Sequence, residues 1–301
     1  MNYECKAETG IQLLARSGSR PKIKGIDDGL FFRDSSSCPD NGDTLEISGD
    51  GSVGKTLFIT QLIAQCILPK MVKTEVDIHV GGIGASAILI NTDHHFQISK
   101  LVQILEQRLK TCFSDRGMDS SDVKISHAIE KHLENSLKKL LTLNCYDSAQ
   151  LYATFHSLEK HLIDNRSVAL LVLDSASSFY WQDVCGNNAM SKRMDNYLKS
   201  VVSTLQKCVK GNDVLTIYTR PRYFHSKHPG NLKNSSSSSE GLCKYSIQLA
   251  RLENEDERIF SHGDIMSPVQ YKAYVNTPAT SYECRYFISP EGVMHPVRGG
   301  N

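Results

Sequence analysis

The sequence predicts an α/β fold, a mostly parallel sheet flanked by helices with an antiparallel extension toward the C-terminus. Three observations predict it. Apolar runs of strand length alternate with helix-patterned segments at least four times between residues 44 and 219. A glycine-rich turn joins the first of those strands to the first helix. Beyond Arg220 the alternation stops, and short strand candidates follow with no long helix between them, which favours antiparallel pairing.

Residues 1–40 read as an N-terminal arm or linker and 41–301 as the core domain. The arm opens with a short helical pattern, Ile11 to Arg16, and loosens into Ser, Asp, Pro and Gly through Ser35-Ser36-Ser37-Cys38-Pro39. Thr44 to Ser48 is strand-like, and Lys55 to Leu68 is a helix that Pro69 closes. Ala87 to Asn91 is the second strand of the alternation. Ile98, Leu101, Val102, Leu105 and Leu109 then recur at helical spacing and predict one buried helix face. A polar segment from Ser114 to Asp122 leads to a strand over Leu140 to Cys145 and a helix over Ser148 to Ile163. Val168 to Leu173 is a continuous apolar strand. Met194, Tyr197, Leu198, Val201, Val202, Leu205 and Val209 form a further helical stripe, and Val214 to Thr219 returns as a strand. Tyr245 to Leu252, Val269 to Val275 and Cys284 to Ser289 supply the strands of the extension.

A formal net charge of +1 and a pI near 7.6 give no global pull toward nucleic acid or membrane, so any DNA contact has to come from a local patch. The nine cysteines are scattered without zinc-site spacing and read as reduced thiols, which implies the nucleus or cytosol. Charges at Glu4, Lys6 and Glu8 argue against a signal sequence, and the apolar runs are far shorter than the roughly 20 residues of a membrane span, so a soluble protein is expected.

The chemistry begins at Gly49-Asp50-Gly51-Ser52-Val53-Gly54-Lys55-Thr56, a P-loop pattern of Gly, four residues, then Gly-Lys-Thr. It follows a strand and opens a helix, where successive backbone N–H groups and the helix N-terminus wrap phosphates. The expected ligand is ATP with Mg2+: Lys55 reaches the β- and γ-phosphates and the Thr56 hydroxyl ligates the ion. Asp174, delivered to the C-terminal end of an apolar strand, is the second magnesium residue; a helix N-cap role is its structural alternative. Asp93, directly after the strand that ends at Asn91, is the candidate catalytic group that orients water. It could equally be a solvent-exposed loop residue. An Asp is one methylene shorter than Glu, which predicts weak hydrolysis.

Gly82-Ile83-Gly84-Ala85-Ser86-Ala87 imitates a dinucleotide fingerprint but precedes its strand, so a loop is expected. His94-His95 and His225-Ser226-Lys227-His228 have no further ligands at metal-site spacing. Arg222 and Lys227 with Tyr223 and Phe224 interleaved suit single-stranded DNA, cations meeting phosphates and rings stacking on bases, although a solvated loop has the same composition. Lys192 and Arg193 add a smaller basic cluster.

Taken together, these residues resemble the RecA-type recombination ATPases, and within them the eukaryotic recombinase paralogues. The likeness is carried by Ala7-Glu8-Thr9-Gly10 with Leu13-Leu14-Ala15-Arg16, by Gly42-Asp43-Thr44-Leu45-Glu46 ahead of the P-loop, and by Cys66-Ile67-Leu68-Pro69-Lys70. It continues in Thr92-Asp93-His94-His95-Phe96, in Leu173-Asp174-Ser175 with Phe179-Tyr180-Trp181, and in Glu291-Gly292-Val293. The resemblance implies a RecA-like P-loop ATPase core without the N-terminal helical DNA-binding domain of the main recombinase. It implies a nuclear ATP-binding subunit, in a hetero-oligomeric complex with other recombinase paralogues, that promotes homologous recombination repair of double-strand breaks and stalled forks. Single-stranded or branched DNA is the implied partner, bound weakly by the isolated chain. Active members carry a γ-phosphate-sensing glutamine where Arg220 stands here. The alternative reading is a self-sufficient DNA-dependent ATPase that forms filaments on single-stranded DNA.

Overall fold

The computed structural model describes the chain except residues 1–9, 11–19, 24–25, 27–37, 74–76, 120–121, 187–193, 223–242, 253–269, 290–293 and 298–301. The predicted helix over 11–16, the Glu291-Gly292-Val293 segment, and Lys192, Arg193, Tyr223, Phe224 and Lys227 lie outside the described residues.

A nine-stranded sheet forms the centre. In chain order its strands are β1 (Thr44–Gly49), β4 (Ser86–Asn91), β5 (Leu140–Asn144), β6 (Val168–Asp174), β7 (Leu215–Pro221), β8 (Tyr245–Arg251), β9 (Gln270–Asn276), β10 (Ser281–Ile288) and β11 (Met294–Val297), while β2 (Met71–Lys73) and β3 (Asp77–His79) pair separately. The spatial order is β11-β10-β9-β8-β1-β7-β6-β4-β5. The helices are α1 (Lys55–Ile67), α2 (Ile98–Ser114), α3 (Val123–Leu137), α4 (Ser148–Asp164), α5 (Tyr180–Gly186) and α6 (Met194–Val209). No helix among the described residues is long and apolar enough to cross a membrane.

The predicted α/β fold is present, with one refinement. Tyr245–Arg251 runs parallel to β1, with Leu45 opposite Tyr245, so the antiparallel part begins only at β9. All of Val168–Asp174 is buried, as expected of a strand covered on both faces. One face packs Leu45 and Ile47 against Phe58, Ile59, Leu62 and Ile63 of α1 and Leu101 and Leu105 of α2. The other packs Leu171 and Leu173 against Phe155 and Leu158 of α4 and Val201 and Val202 of α6.

Local chemistry sets the boundaries. Helix α1 ends because Leu68, next to Pro69, is extended at φ −61 and ψ 143. Its last carbonyls receive the Gly82–Ala85 loop: Ile83 N donates to Gln65 O at 3.0 Å, Gly84 N to Leu68 O at 2.7 Å and Ala85 N to Cys66 O at 2.9 Å. Gly82 permits this approach, since a Cβ there would lie 2.2 Å from the Leu68 carbonyl oxygen. The glycine run therefore caps a helix C-terminus. Helix α3 was not expected from the pattern, because Ile129 is its one fully buried apolar residue; its start is marked by Asp122, whose carboxylate accepts from Lys124 N. Helix α2 buries Leu101, Leu105 and Leu109 of the expected stripe and rotates its edges. Ile104 and Phe113 join Leu101, Leu105 and Leu109 in the core, while Ile98 is 54% exposed.

Among the described arm residues, Arg20, Ile23 and Ile26 reach the interior. Ile23 and Ile26 are buried in the α1 cluster. The buried Arg20 guanidinium donates to the carbonyls of Asn212, Asn165 (3.0 Å), Val168 (2.8 Å) and Leu162 (2.5 Å).

Candidate nucleotide site

The P-loop lies where the pattern places it, between β1 and α1. A Cβ on Gly49 would sit 2.6 Å from the Leu249 carbonyl of β8 and 2.8 Å from Val53 Cγ2, so this position has room only for glycine. Ser52 (φ 60) and Gly54 (φ 88) adopt left-handed conformations that wind the loop into the helix. Val53 is buried beneath it, and its carbonyl accepts from the buried Tyr286 hydroxyl of β10 at 2.7 Å. Nothing in the local pattern near residue 286 signalled that role, because the contact spans 233 positions.

Lys55 Nζ folds back over the loop and donates to the carbonyls of Gly49 at 2.9 Å and Asp50 at 2.7 Å. Burial lowers its pKa, while the nearby charges of Asp174, Asp50 and Asp93 act in the opposite direction. The first turn of α1 has no side-chain cap. Its N–H groups and the ammonium thus face the same ground, the arrangement expected of an anion cradle.

Asp174 enters from the C-terminal end of β6. Its Oδ2 accepts from Thr56 Oγ1 at 3.0 Å, and its Oδ1 accepts from Thr219 Oγ1 at the end of β7. It is 2% exposed, and burial pushes its pKa up; the Thr219 hydrogen bond lowers it, Asp93 raises it, and Thr56 and Lys55 lower it. A hydroxyl and a carboxylate in contact beside a phosphate cradle form a pair of hard oxygen donors, which fits a magnesium ion bridged to phosphates.

Asp93 is brought to the same edge of the sheet. The backbone N–H groups of Thr92 and Asp93 both donate to the Asp174 carbonyl, at 2.8 and 3.1 Å. Its side chain is half-buried and accepts from Ser178 Oγ. Around it run further hydroxyls: Thr92 Oγ1 lies 2.7 Å from Ser178 Oγ and donates to the Ser175 carbonyl at 2.8 Å, and Ser175 Oγ is 3.2 Å from Ser178 Oγ. Beside it His94, at φ 56, donates its backbone N–H to Asn91 Oδ1 at 3.1 Å and stacks on Tyr146 with ring centroids 4.6 Å apart.

Arg220 does not face the P-loop cradle. Its Nη2 lies 2.8 Å from Glu46 Oε1, both side chains are buried, and Tyr218 donates to Glu46 Oε2 at 2.7 Å. Neighbouring strand residues point to opposite faces, so Thr219 serves Asp174 while Arg220 runs back under β1. Its charge is held inside the sheet. Of the basic residues expected to meet DNA, Arg222 alone is described. With the Gln248 amide oxygen turned toward it, Arg222 Nε donates at 2.9 Å and Nη1 at 3.3 Å, which anchors it to β8.

No family model matches the chain. It is 36% identical to the mouse DNA repair protein XRCC2 over 204 residues, 67% of this chain and 61% of that protein. It is 26% identical to an Arabidopsis thaliana DNA repair protein XRCC2 homolog over 223 residues, 66% of this chain and 59% of that one. The Chinese hamster (Cricetulus griseus) DNA repair protein RAD51 homolog 3 is 22% identical over 161 residues, 53% of this chain and 42% of that protein. The chain thus spans about three fifths of the length of the two XRCC2 relatives. In structure it is similar to the RadB recombinase, with a TM-score of 0.55 and 16% identity over 86% of this chain and 92% of that one, a likeness of fold. With this fold, this P-loop and these relatives, the chain belongs to the RecA-family recombinase paralogues and within them is similar to XRCC2.

Proposed function

We propose that the chain is an ATP-binding subunit of a recombinase-paralogue complex that promotes homologous recombination repair of DNA double-strand breaks and stalled forks in the nucleus. The observation that carries the nucleotide reading is the contact of Thr56 with Asp174 beside Lys55. Gly49 to Thr56 would hold the phosphates, and Thr56 and Asp174 the ion. Magnesium, when bound, supplies charge neutralisation between the β- and γ-phosphates. Lys55 would exchange its two backbone carbonyls for phosphate oxygens. The names of the relatives, DNA repair proteins, support the cellular role.

Turnover is slow in this reading. Asp93 is the carboxylate available to orient water; it is short, and a protein hydroxyl already engages it. Arg220 is engaged by Glu46 and does not supply a γ-phosphate contact. Nucleotide would then serve assembly more than strand exchange. DNA contacts fall in this reading to Lys192, Arg193, Arg222, Tyr223, Phe224 and Lys227, basic and aromatic residues that later in the chain follow the strands β6 and β7.

The test is labelled-ATP binding to the full chain and to Lys55→Ala. Loss of a charge-assisted contact should weaken binding by at least about 2 kcal/mol, a roughly thirtyfold change. Equal affinity in the two proteins would sink the site. Purification of the native complex with identification of its subunits separates an assembly subunit from a filament-forming ATPase that works alone.

A further inference from the structure

We infer that Ser178 is a positioning residue that restrains Asp93, so that the site retains nucleotide instead of splitting it. This rests on reading the P-loop as a nucleoside triphosphate site. Ser178 has one hydroxyl proton and four oxygen neighbours: Asp93 Oδ1, Thr92 Oγ1, Ser175 Oγ and the Ser175 carbonyl. The carboxylate is the strongest acceptor among them, so the proton goes there. Thr92 gives its proton to the Ser175 carbonyl, Ser175 Oγ is placed to donate to Ser178 Oγ, and a hydroxyl that accepts one hydrogen bond is a stronger donor in the next. Ser175 and Ser178 therefore direct a proton at Asp93 Oδ1 and fill one of the acceptor sites that a water could use.

The restraint has fixed ends. Ser175 and Ser177 are buried, Ala176 N donates to the Thr219 carbonyl at 3.0 Å, and Tyr180 N donates to the Ser177 carbonyl at 3.1 Å. Ser178 therefore sits on an anchored turn between β6 and α5. Asp93 is held from its other side by its own N–H on the Asp174 carbonyl. A water at Asp93 Oδ1 has to share the carboxylate with a charge-assisted hydrogen bond that fixes its orientation, and that restraint ends once the hydroxyl is gone.

Two measurements on the full chain test this. In steady-state hydrolysis, Ser178→Ala should raise kcat by roughly tenfold, a fraction of the roughly 100- to 10,000-fold that a general base supplies in full, with ATP affinity unchanged. Ser178→Thr keeps the hydroxyl and should return kcat to the wild-type value. Level or lower kcat in Ser178→Ala, with ATP bound as tightly, overturns the inference. The second measurement needs no nucleotide. Amide hydrogen exchange should quicken at Thr92 and Asp93 in Ser178→Ala, and at Ala176 to Tyr180 in Asp93→Ala, because a coupling between two groups is reciprocal. Exchange at either end that ignores the change at the other overturns the restraint. If ATP binds to none of these proteins, the nucleotide reading fails, whereas the exchange result still decides whether Ser178 holds Asp93.

Discussion

Thr56 and Asp174 stand 118 positions apart and meet in one 3.0 Å hydrogen bond, the hydroxyl donating to the carboxylate. The first turn of α1 and the end of β6 are thereby locked together by two oxygens that a divalent ion would share. Burial and the neighbouring Asp93 disfavour the charge on this carboxylate, while Thr219, Thr56 and Lys55 oppose them.

That balance predicts a pH dependence. Burial raises the Asp174 pKa above its ordinary value of 3.8, so the folded chain binds a proton that the unfolded chain has already lost. Stability of the metal-free protein should therefore fall as pH rises through the window above the ordinary value and be flat beyond the raised one. Asp174→Asn should flatten that dependence and raise the metal-free melting temperature at neutral pH, while weakening the stabilisation by Mg2+ and ATP. Thermal unfolding with and without magnesium and ATP checks both signs. A variant less stable than the parent at pH 7 in EDTA counts against the account.

The buried Glu46–Arg220 pair should behave as a structural unit. Glu46→Gln keeps an acceptor for Tyr218 but removes the carboxylate that contacts the buried guanidinium, with Asp195 left as an attracting charge. The expected loss is about 3–5 kcal/mol in urea unfolding. Replacing both partners with apolar residues, as Glu46→Leu with Arg220→Met, should recover part of it. Loss below about 1 kcal/mol in the single variant would mean that the pair is solvated in solution.

Hydrolysis by the isolated protein should fall well below the order of 10 per second common among enzymes. Asp93→Glu lengthens the carboxylate by one methylene and should raise the rate if reach limits the reaction. A colorimetric phosphate assay with the Lys55→Ala protein as blank measures it. Wild-type turnover in the ordinary enzyme range would refute the slow-site reading.

Neutralising Arg222 and Lys227 together should weaken single-stranded DNA binding and flatten its salt dependence, with each lost phosphate contact removing about 0.7 from the log–log slope. ATP affinity should not move. Because Arg222 is tied to Gln248, the Arg222 change should also cost some stability, which a melting curve would reveal. Wild-type affinity and slope in the double variant, alone and in the assembled complex, would remove this segment from the DNA surface.

Strands and the P-loop were legible because both write themselves locally. An unbroken apolar run such as Val168 to Leu173 has few other meanings, and a Gly-x4-Gly-Lys-Thr between strand and helix carries its own context. Helix α3 escaped because its signal is a single capping aspartate, with a thin apolar face laid on α2. The parallel β8 escaped for a different reason. Strand direction depends on the path of the connection, and sequence periodicity is the same in either direction.

Within the site, Lys55, Thr56, Asp93 and Asp174 were readable by motif and by position at strand ends. Thr219, Ser178 and Tyr286 were not, since a hydroxyl has no pattern of its own and acquires a role only from what folding places beside it. Arg220 was legible as a departure from the γ-phosphate-sensing glutamine, but not its destination: strand alternation turns it to the other face, where Glu46 holds it.

The Arg20 clasp orders events in time. Its acceptor carbonyls extend to Asn212, 192 positions further along. A ribosome adding about 5–20 residues per second takes roughly 10–40 s to cover that distance. Until Leu162, Asn165, Val168 and last of all Asn212 have been made, the Arg20 guanidinium lacks its full set of acceptors. Arg20 is thus sealed into place by parts of the chain made later than itself, and a chain stalled in translation before Asn212 leaves the clasp unfinished.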